Sequence, residues 1–300
     1  MKNSKRYPLI LAHGIFRPDY LVDSLFRKLN LSWSEFSHLG DRFHYFKGIA
    51  SFLKQHGFEV YNTSVSFAAE VETRAEDLRR ELSKILATTG HEKVHIIGHS
   101  MGGLDARHMI LMEDMAAKVA TLTTIGTPHL GASLADRSLQ NGFGKIIDSL
   151  RKVINLDGIK SLTTAACSAF NNSARDAEAT NAVFYQIYYS SQKRELTFLP
   201  FQKTWQIIYE KEGDNDGLVS VVSQKWEERL KGKNGACKTI VQKEFPVPAD
   251  HVNQMGWWHL NREPEWWNWG VFKEKKEYEM TIKQIYLQIA REVQEHVAAA

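Results

Sequence analysis

Cysteine is scarce: Cys167 and Cys237 are the only two in 300 residues. Two cysteines make no disulfide framework, and neither sits in the C-x-x-C spacing of a redox or zinc site. One disulfide between them, or two free thiols, are both open readings. Long apolar runs are missing as well. No stretch approaches the roughly 18 apolar residues of a membrane span, and the run from Leu9 to Ala12 is too short for the core of a signal peptide. The expectation is a soluble protein, cytoplasmic or exported by a route that needs no N-terminal signal. Charge of one sign is not in excess either. Lys and Arg number 38 against 35 Asp and Glu, a net +3, and no basic block or aromatic-basic groove interrupts the balance. Nucleic acid is therefore not an expected partner. Repeats, low-complexity tracts and linkers are also absent, so residues 1–300 read as a single large domain.

What is present is an alternation. "YPLILAH" is a short apolar strand. "RFHYFKGIASFLKQHG" carries a helix, and "FEVYNTSV" a strand. In "VETRAEDLRRELSKILATTG", Leu78, Leu82, Ile85 and Leu86 recur on one helical face. Thr73 and Glu76 suit a capping box, and Gly90 suits a helix stop. "KVHIIGH" is a strand, "GLDARHMILME" a helix, and "VATLTTIGTPHLG" a strand ending in a proline turn. Apolar strands between amphipathic helices predict an α/β fold: a mostly parallel central sheet flanked by helices. After about Gly131 the alternation stops. Residues of about 133–182 read as an inserted helical cap, in which Ile147, Leu150 and Ile154 share one face. "VFYQIYYS" and "TWQIIYE" return to strand. A tryptophan-rich loop and a charged helix of about 275–296 close the chain.

In parallel sheets the site lies beyond the carboxyl ends of the strands. There, "GHSMG" (98–102) places a serine between glycines, after a strand and before a helix. A serine on so sharp a turn needs small neighbours two positions away on either side, and the turn displays its Oγ. It also aims the Met101 N–H at a developing oxyanion, helped by the helix N-terminus. Ser100 is the expected nucleophile, and a serine hydroxyl needs a base. With such a turn the order along the chain is serine, acid, histidine. Five of the 12 histidines follow Ser100. His108 lies on the helix and projects away, His129 lacks a preceding acid, and His296 sits in the terminal helix. His251, in a loop after a short strand, is the expected base, with His259 in reserve. Asp216, held by Gly217 and an apolar return to the core, is the expected acid. Asp214 suits a turn cap, and Asp250 points away from its neighbour's ring. The second oxyanion donor is the N–H of Ile15 in "LAHGIF", with Phe16 one position on. His13 is expected to pack beneath the site.

Seven segments in order resemble the bacterial triacylglycerol lipases of the Pseudomonas, Burkholderia and Proteus type: "LILAHGIF", "YFKGIASFLKQHGFEVYNTSV", "RAEDLRRELSKIL", "KVHIIGHSMGGLDAR", "TTIGTPHLGA", "NDGLV" and "DHVNQMG". The resemblance covers about residues 7–256. It implies the α/β-hydrolase fold with a cap or lid, a Ser100–Asp216–His251 triad, and oxyanion donors at Ile15 and Met101. It implies a lipid or other ester substrate, met at an oil–water interface, and no required cofactor. Those lipases hold a structural calcium with an aspartate two residues after the histidine. That position here is Asn253, so calcium is in doubt. Their disulfide closes shortly after the acid, whereas Cys237 lies far beyond Asp216, so the pairing does not carry over. The apolar-aromatic stretch from Arg17 to Arg42 is extra and suits a wall over an acyl site. A short-chain esterase, phospholipase or acyltransferase uses the same residues. A non-enzymatic binder of hydrophobic ligands is the weakest reading. The stretch of about 142–162 reads equally as mobile lid or fixed core, and the tryptophans at 257, 258, 266, 267 and 269 read first as loop packing.

Overall fold

The computed structural model describes residues 6–15, 45–66, 69–140, 158–257 and 269–299. Phe16, the stretch from Arg17 to Arg42, the face of Ile147, Leu150 and Ile154, His259, and the side chains of tryptophans 258, 266, 267 and 269 lie outside the described residues.

The elements run β1 (Leu9–Ala12), α1 (Ile49–Gln55), β2 (Val60–Asn62), α2 (Val71–Thr89), β3 (Val94–His99), α3 (Met101–Ile110), β4 (Val119–Ile125), α4 (Ser133–Gln140), α5 (Thr164–Thr180) and β5 (Phe184–Tyr189). They continue with α6 (Gln202–Glu212), a single turn α7 (Val221–Gln224), β6 (Arg229–Lys231), β7 (Cys237–Thr239), β8 (Val241–Glu244) and α8 (Trp269–Ala299). Six strands form one sheet in the order β2-β1-β3-β4-β5-β8, and every pairing is parallel. The short β6 and β7 make a separate antiparallel pair.

Successive side chains of a strand face opposite ways, and the two faces are both apolar. Leu9, Leu11, Ile97 and Ile125 pack with Ile49 and Leu53 of α1 and Ile282, Ile285, Tyr286 and Ile289 of α8. Ile10, Ala12, Ile96 and Leu122 pack with Leu78 and Leu82 of α2 and Ala106, Met109 and Ile110 of α3. This is why β1, β3 and β4 are unbroken apolar runs: each is buried over its whole length. The register sets Ala12 beside Gly98 and Gly98 beside Thr124. The chain therefore leaves β1, β3 and β4 at one level, and the three following turns meet.

Between β4 and β5 the chain departs from the sheet into α4 and α5. α5 is tied back by Arg107 of α3, which is fully buried. Its Nε and Nη2 donate to the two Glu178 oxygens at 2.8 and 2.9 Å, and Nη2 also donates to Asn171 Oδ1 at 2.8 Å. The guanidinium lies 3.6 Å from the Trp226 ring centroid, with Phe170 on another side at 4.8 Å.

Two local expectations are corrected. "TWQIIYE" is not a strand but most of α6. Its aromatic and β-branched residues suit a strand, but the contacts that form are helical: Thr204 and Ile208 are buried four residues apart. Trp205 stacks on Tyr209, and Gln206 bonds Glu210. The Thr73–Glu76 capping box does not form either. α2 starts at Val71 with Glu70 as its cap residue, so Thr73 is already inside the first turn, while Gly90 ends the helix in the left-handed region at φ 73°. The two cysteines are free thiols, Cys167 buried and Cys237 exposed. No disulfide joins them.

Candidate active site

Ser100 sits between β3 and α3 with φ 57° and ψ −132°, a conformation costly for a residue with a Cβ. The surroundings hold it there. Its N–H donates to Ile125 O at 2.9 Å. Its carbonyl accepts from the Gly103 N–H at 3.1 Å and the Thr127 hydroxyl at 2.8 Å. The glycines make this packing possible. A Cβ on Gly102 would lie 2.3 Å from Ala12 O, and one on Gly103 would lie 2.2 Å from Thr127 Oγ1. Gly103 is thus a third constrained position beyond the two that the motif names.

Three of the expected residues come together around that turn. His251, beyond β8, places Nε2 2.8 Å from Ser100 Oγ and Nδ1 2.7 Å from Asp216 Oδ2. A carboxylate only accepts hydrogen bonds. His251 Nδ1 therefore carries a proton, and the neutral ring's Nε2 accepts from the serine hydroxyl. The His251 backbone N–H also donates to Asp216 O at 2.9 Å. Asp216 Oδ1 accepts from the N–H groups of Leu218 and Val219 at 3.0 and 2.8 Å, and its Oδ2 also accepts from Gln254 Nε2 at 3.0 Å. Asp216 is buried, His251 is 2% exposed and Ser100 is 8% exposed.

The loop after β1 abuts the same serine. A Cβ on Gly14 would lie 3.1 Å from Ser100 Oγ. Here His13 does more than pack. Its Nε2 accepts from the Val65 N–H at 3.2 Å, so the ring proton sits on Nδ1, which donates to Gly14 O at 2.8 Å. Burial, with Arg74 close by, pushes the His13 pKa down to about 4 and keeps the ring neutral. In a trans peptide the N–H points opposite to the carbonyl. Turning the Gly14 carbonyl toward His13 turns the Ile15 N–H the other way. The Ser100–Met101 peptide is pinned likewise, its carbonyl held by Gly103 and Thr127. Arg74 completes the loop: Nη2 donates to His13 O at 2.8 Å, while Nε and Nη2 grip Asp105 at 2.7–3.1 Å.

Other candidates lie elsewhere. Asp214 is exposed and serves the turn through its carbonyl, which accepts from Val221 N at 2.8 Å. Asp250 is buried, and its carboxylate accepts from the N–H groups of Phe198, Val252 and Asn253 at 2.6–3.0 Å. His129 stacks on Trp226 beside Arg107, His108 on Phe170 and His296 on Phe184. The described side chains of the loop after His251 have other partners. Asp250 is already occupied by backbone donors, and Asn253 Nδ2 donates to Trp257 O at 2.7 Å. Among the described residues no three metal-ligating side chains cluster. Tyr45, Arg74, His99 and Gln254 join the site without any spacing signal. His99 and Gln254 stand inside motifs that point to their neighbours.

Chemically, a hydroxyl on a neutral imidazole, a carboxylate behind that imidazole, and two pinned peptide N–H groups suit acyl transfer. The family model of the PGAP1-like alpha/beta domain matches residues 62–206. Triacylglycerol lipase 2 of Saccharomyces cerevisiae is 28% identical over 83% of this chain and 80% of its own. The triacylglycerol lipase of Pseudarthrobacter phenanthrenivorans is 32% identical, but the match spans 55% of this chain and 53% of that one. Among solved structures, a metagenomic carboxyl esterase superposes with TM-score 0.63 at 15% identity, covering 99% of this chain and 77% of its own. The fold is that of the α/β hydrolases. In sequence the chain is similar to proteins named triacylglycerol lipases.

Proposed function

We propose that this protein is a lipase that hydrolyses triacylglycerols through a Ser100–His251–Asp216 triad. The observation that carries the proposal is the unbroken line Asp216 Oδ2–His251 Nδ1 at 2.7 Å and His251 Nε2–Ser100 Oγ at 2.8 Å. Ser100 Oγ attacks the ester carbonyl while His251 Nε2 takes its proton. The N–H groups of Ile15 and Met101 hold the oxyanion. His251 then protonates the leaving alcohol, and an acyl-serine remains. Water, deprotonated by His251, attacks it and frees the acid and Ser100. Asp216 orients the ring and stabilises the imidazolium. The reaction uses no cofactor.

An apolar rim supports a lipid substrate. Leu130, in the turn after β4, is 39% exposed, and Leu196 and Leu199, between β5 and α6, are 54% and 66% exposed. All three stand at the carboxyl end of the sheet, where Ser100 is. In this reading α4 and α5 belong to a cap over the acyl site. No described helix is long and apolar enough to cross a membrane, so lipid is met as a substrate surface.

Ser100→Ala should lower ester hydrolysis by about 10³-fold or more. Full activity in that variant would overturn the proposal. A chain-length series of p-nitrophenyl esters, run beside emulsified triglyceride, checks the substrate. Activity confined to short chains would make the protein an esterase, and preference for an added alcohol over water would make it an acyltransferase.

A further inference from the structure

Behind the triad lies a second line of side chains. Tyr45 precedes α1, His99 ends β3, and Gln254 lies on the 3-10 turn Asn253–Met255 after His251. His99 and Gln254 are wholly buried and Tyr45 is nearly so. Tyr45 Oη is 2.8 Å from His99 Nδ1, His99 Nε2 is 3.0 Å from Gln254 Oε1, and Gln254 Nε2 is 3.0 Å from Asp216 Oδ2. At its far end Tyr45 Oη abuts Gly14, where an added Cβ would lie 2.7 Å from it, and the Gly14 backbone favours the ionised oxygen.

One member of this line cannot reverse, and it fixes all the others. Asp216 as a carboxylate can only accept, so the amide nitrogen of Gln254 faces it. The amide oxygen then faces His99 and accepts from Nε2–H. His99 is neutral, since burial and His251 beside it push its pKa well down. Its Nδ1 is therefore an acceptor, and the Tyr45 hydroxyl donates to it. Burial keeps Tyr45 a phenol, its ionisation pushed well up. The phenol oxygen then faces Gly14. Every donor points from the oxyanion loop toward the acid. The fit is close, since Gly126, at φ 58°, leaves room for Gln254 that a side chain would take: a Cβ there would lie 2.2 Å from Oε1.

We propose that Tyr45, His99 and Gln254 are positioning residues that tie the oxyanion loop at Gly14 to the Asp216 carboxylate through one directed hydrogen-bond chain. The inference rests on the serine-hydrolase reading of the site. Gly14 adjoins Ile15, whose N–H is the proposed oxyanion donor, and Asp216 sets the His251 ring. The chain thus holds the two halves of the reaction in register across three strands. Neither half touches substrate through it, so its loss should slow turnover more than it weakens binding.

The test is a double-mutant cycle on a water-soluble short-chain ester, p-nitrophenyl butyrate, with Ser100→Ala alongside and melting temperatures for all variants. Tyr45→Phe removes one hydroxyl and should lower kcat by about 5- to 10-fold. Gln254→Leu keeps the shape, removes a donor to a buried carboxylate, and should lower kcat by about 10- to 100-fold. KM should stay within about twofold in both. The double variant should be no slower than Gln254→Leu within about twofold, because breaking one line twice costs once. If Gln254→Leu does not fold, the unbranched Gln254→Met replaces it. An active wild type whose single variants lose activity independently, raise only KM, or lose nothing overturns this inference alone. A wild type with no activity, or a fully active Ser100→Ala, overturns the hydrolase reading and the inference with it.

Discussion

Two neutral imidazoles, His13 and His99, flank Ser100 and neither is the proposed base. His13 shows how much one ring proton can decide. With Val65 occupying Nε2, Nδ1–H is the only donor the ring has, and it holds Gly14 O at 2.8 Å. His13→Phe keeps an aromatic ring but removes that donor. The Gly14–Ile15 peptide is then free to turn, and the Ile15 N–H loses its aim. Loss of one oxyanion donor costs about 10²- to 10³-fold in kcat, so His13→Phe should lower kcat by about 10²-fold with a smaller change in KM. Steady-state kinetics on a soluble ester check this, and an unchanged kcat would remove His13 from the account. Ser100 is legible in the sequence because its turn needs small neighbours for steric reasons, and His251 and Asp216 are expected from chain order and the loops that hold them. The sequence did not show Tyr45, Arg74 or Gln254. They act through side-chain contacts across 31 to 155 residues of chain, and no local pattern encodes such distances.

Elements were legible where burial is one-sided or complete. β1, β3 and β4 are apolar throughout because both faces are covered, and α2 repeats leucine at helical spacing because only one face is. α6 was misread since its short apolar run, "TWQIIY", carries no length to separate strand from helix. Its tertiary partners decide: Thr204 bonds Gly217 O at 2.6 Å and Trp205 Nε1 bonds Gln192 O at 2.7 Å. The attachment of α5 was equally hidden, because Arg107 and Glu178 each look like solvated charges in their own helices. They are instead paired with no exposure at all. Removing one partner of a buried ion pair leaves the other charge unpaired and costs about 3–5 kcal/mol. Glu178→Ala should therefore destabilise the protein by that amount in urea unfolding. Glu178→Gln, which still accepts from the guanidinium, should cost less. A loss under about 1 kcal/mol for Glu178→Ala would mean that α5 is held by its apolar contacts and the stack of Arg107 on Trp226.

For the whole molecule, the buried histidines set a dependence on pH. His13, His95, His99 and His129 are at most 5% exposed. Burial pushes His13 and His95 down to about 4, and His99 and His129 well below the ordinary value of 6.5. Arg107 adds to the effect at His129. Each pKa is lower in the folded chain than in the unfolded one. Between those values the unfolded state binds more protons, so stability is complete above about pH 6.5 and falls as pH drops toward about 4. Each such histidine removes up to about 1.4 kcal/mol per pH unit in that window. One group opposes them: burial raises Asp105 to about 6, so its protonation on acidification favours the fold. The carboxylates held below their ordinary values, Glu59, Asp77 and Glu227 among them, titrate lower still and do not blur the window. Burial also pushes His108 down to about 4, so five histidines against one aspartate leave a net loss on acidification. Melting temperature at constant salt should be flat from about pH 8 to 7 and fall steeply between about pH 6.5 and 5. His95 lies away from Ser100, bonded to Thr121. His95→Phe should therefore flatten the slope by about a fifth of the histidine effect while leaving ester hydrolysis at pH 8 within about twofold. A melting temperature that holds to pH 5 would mean that these rings take up protons in the fold as readily as in the unfolded chain.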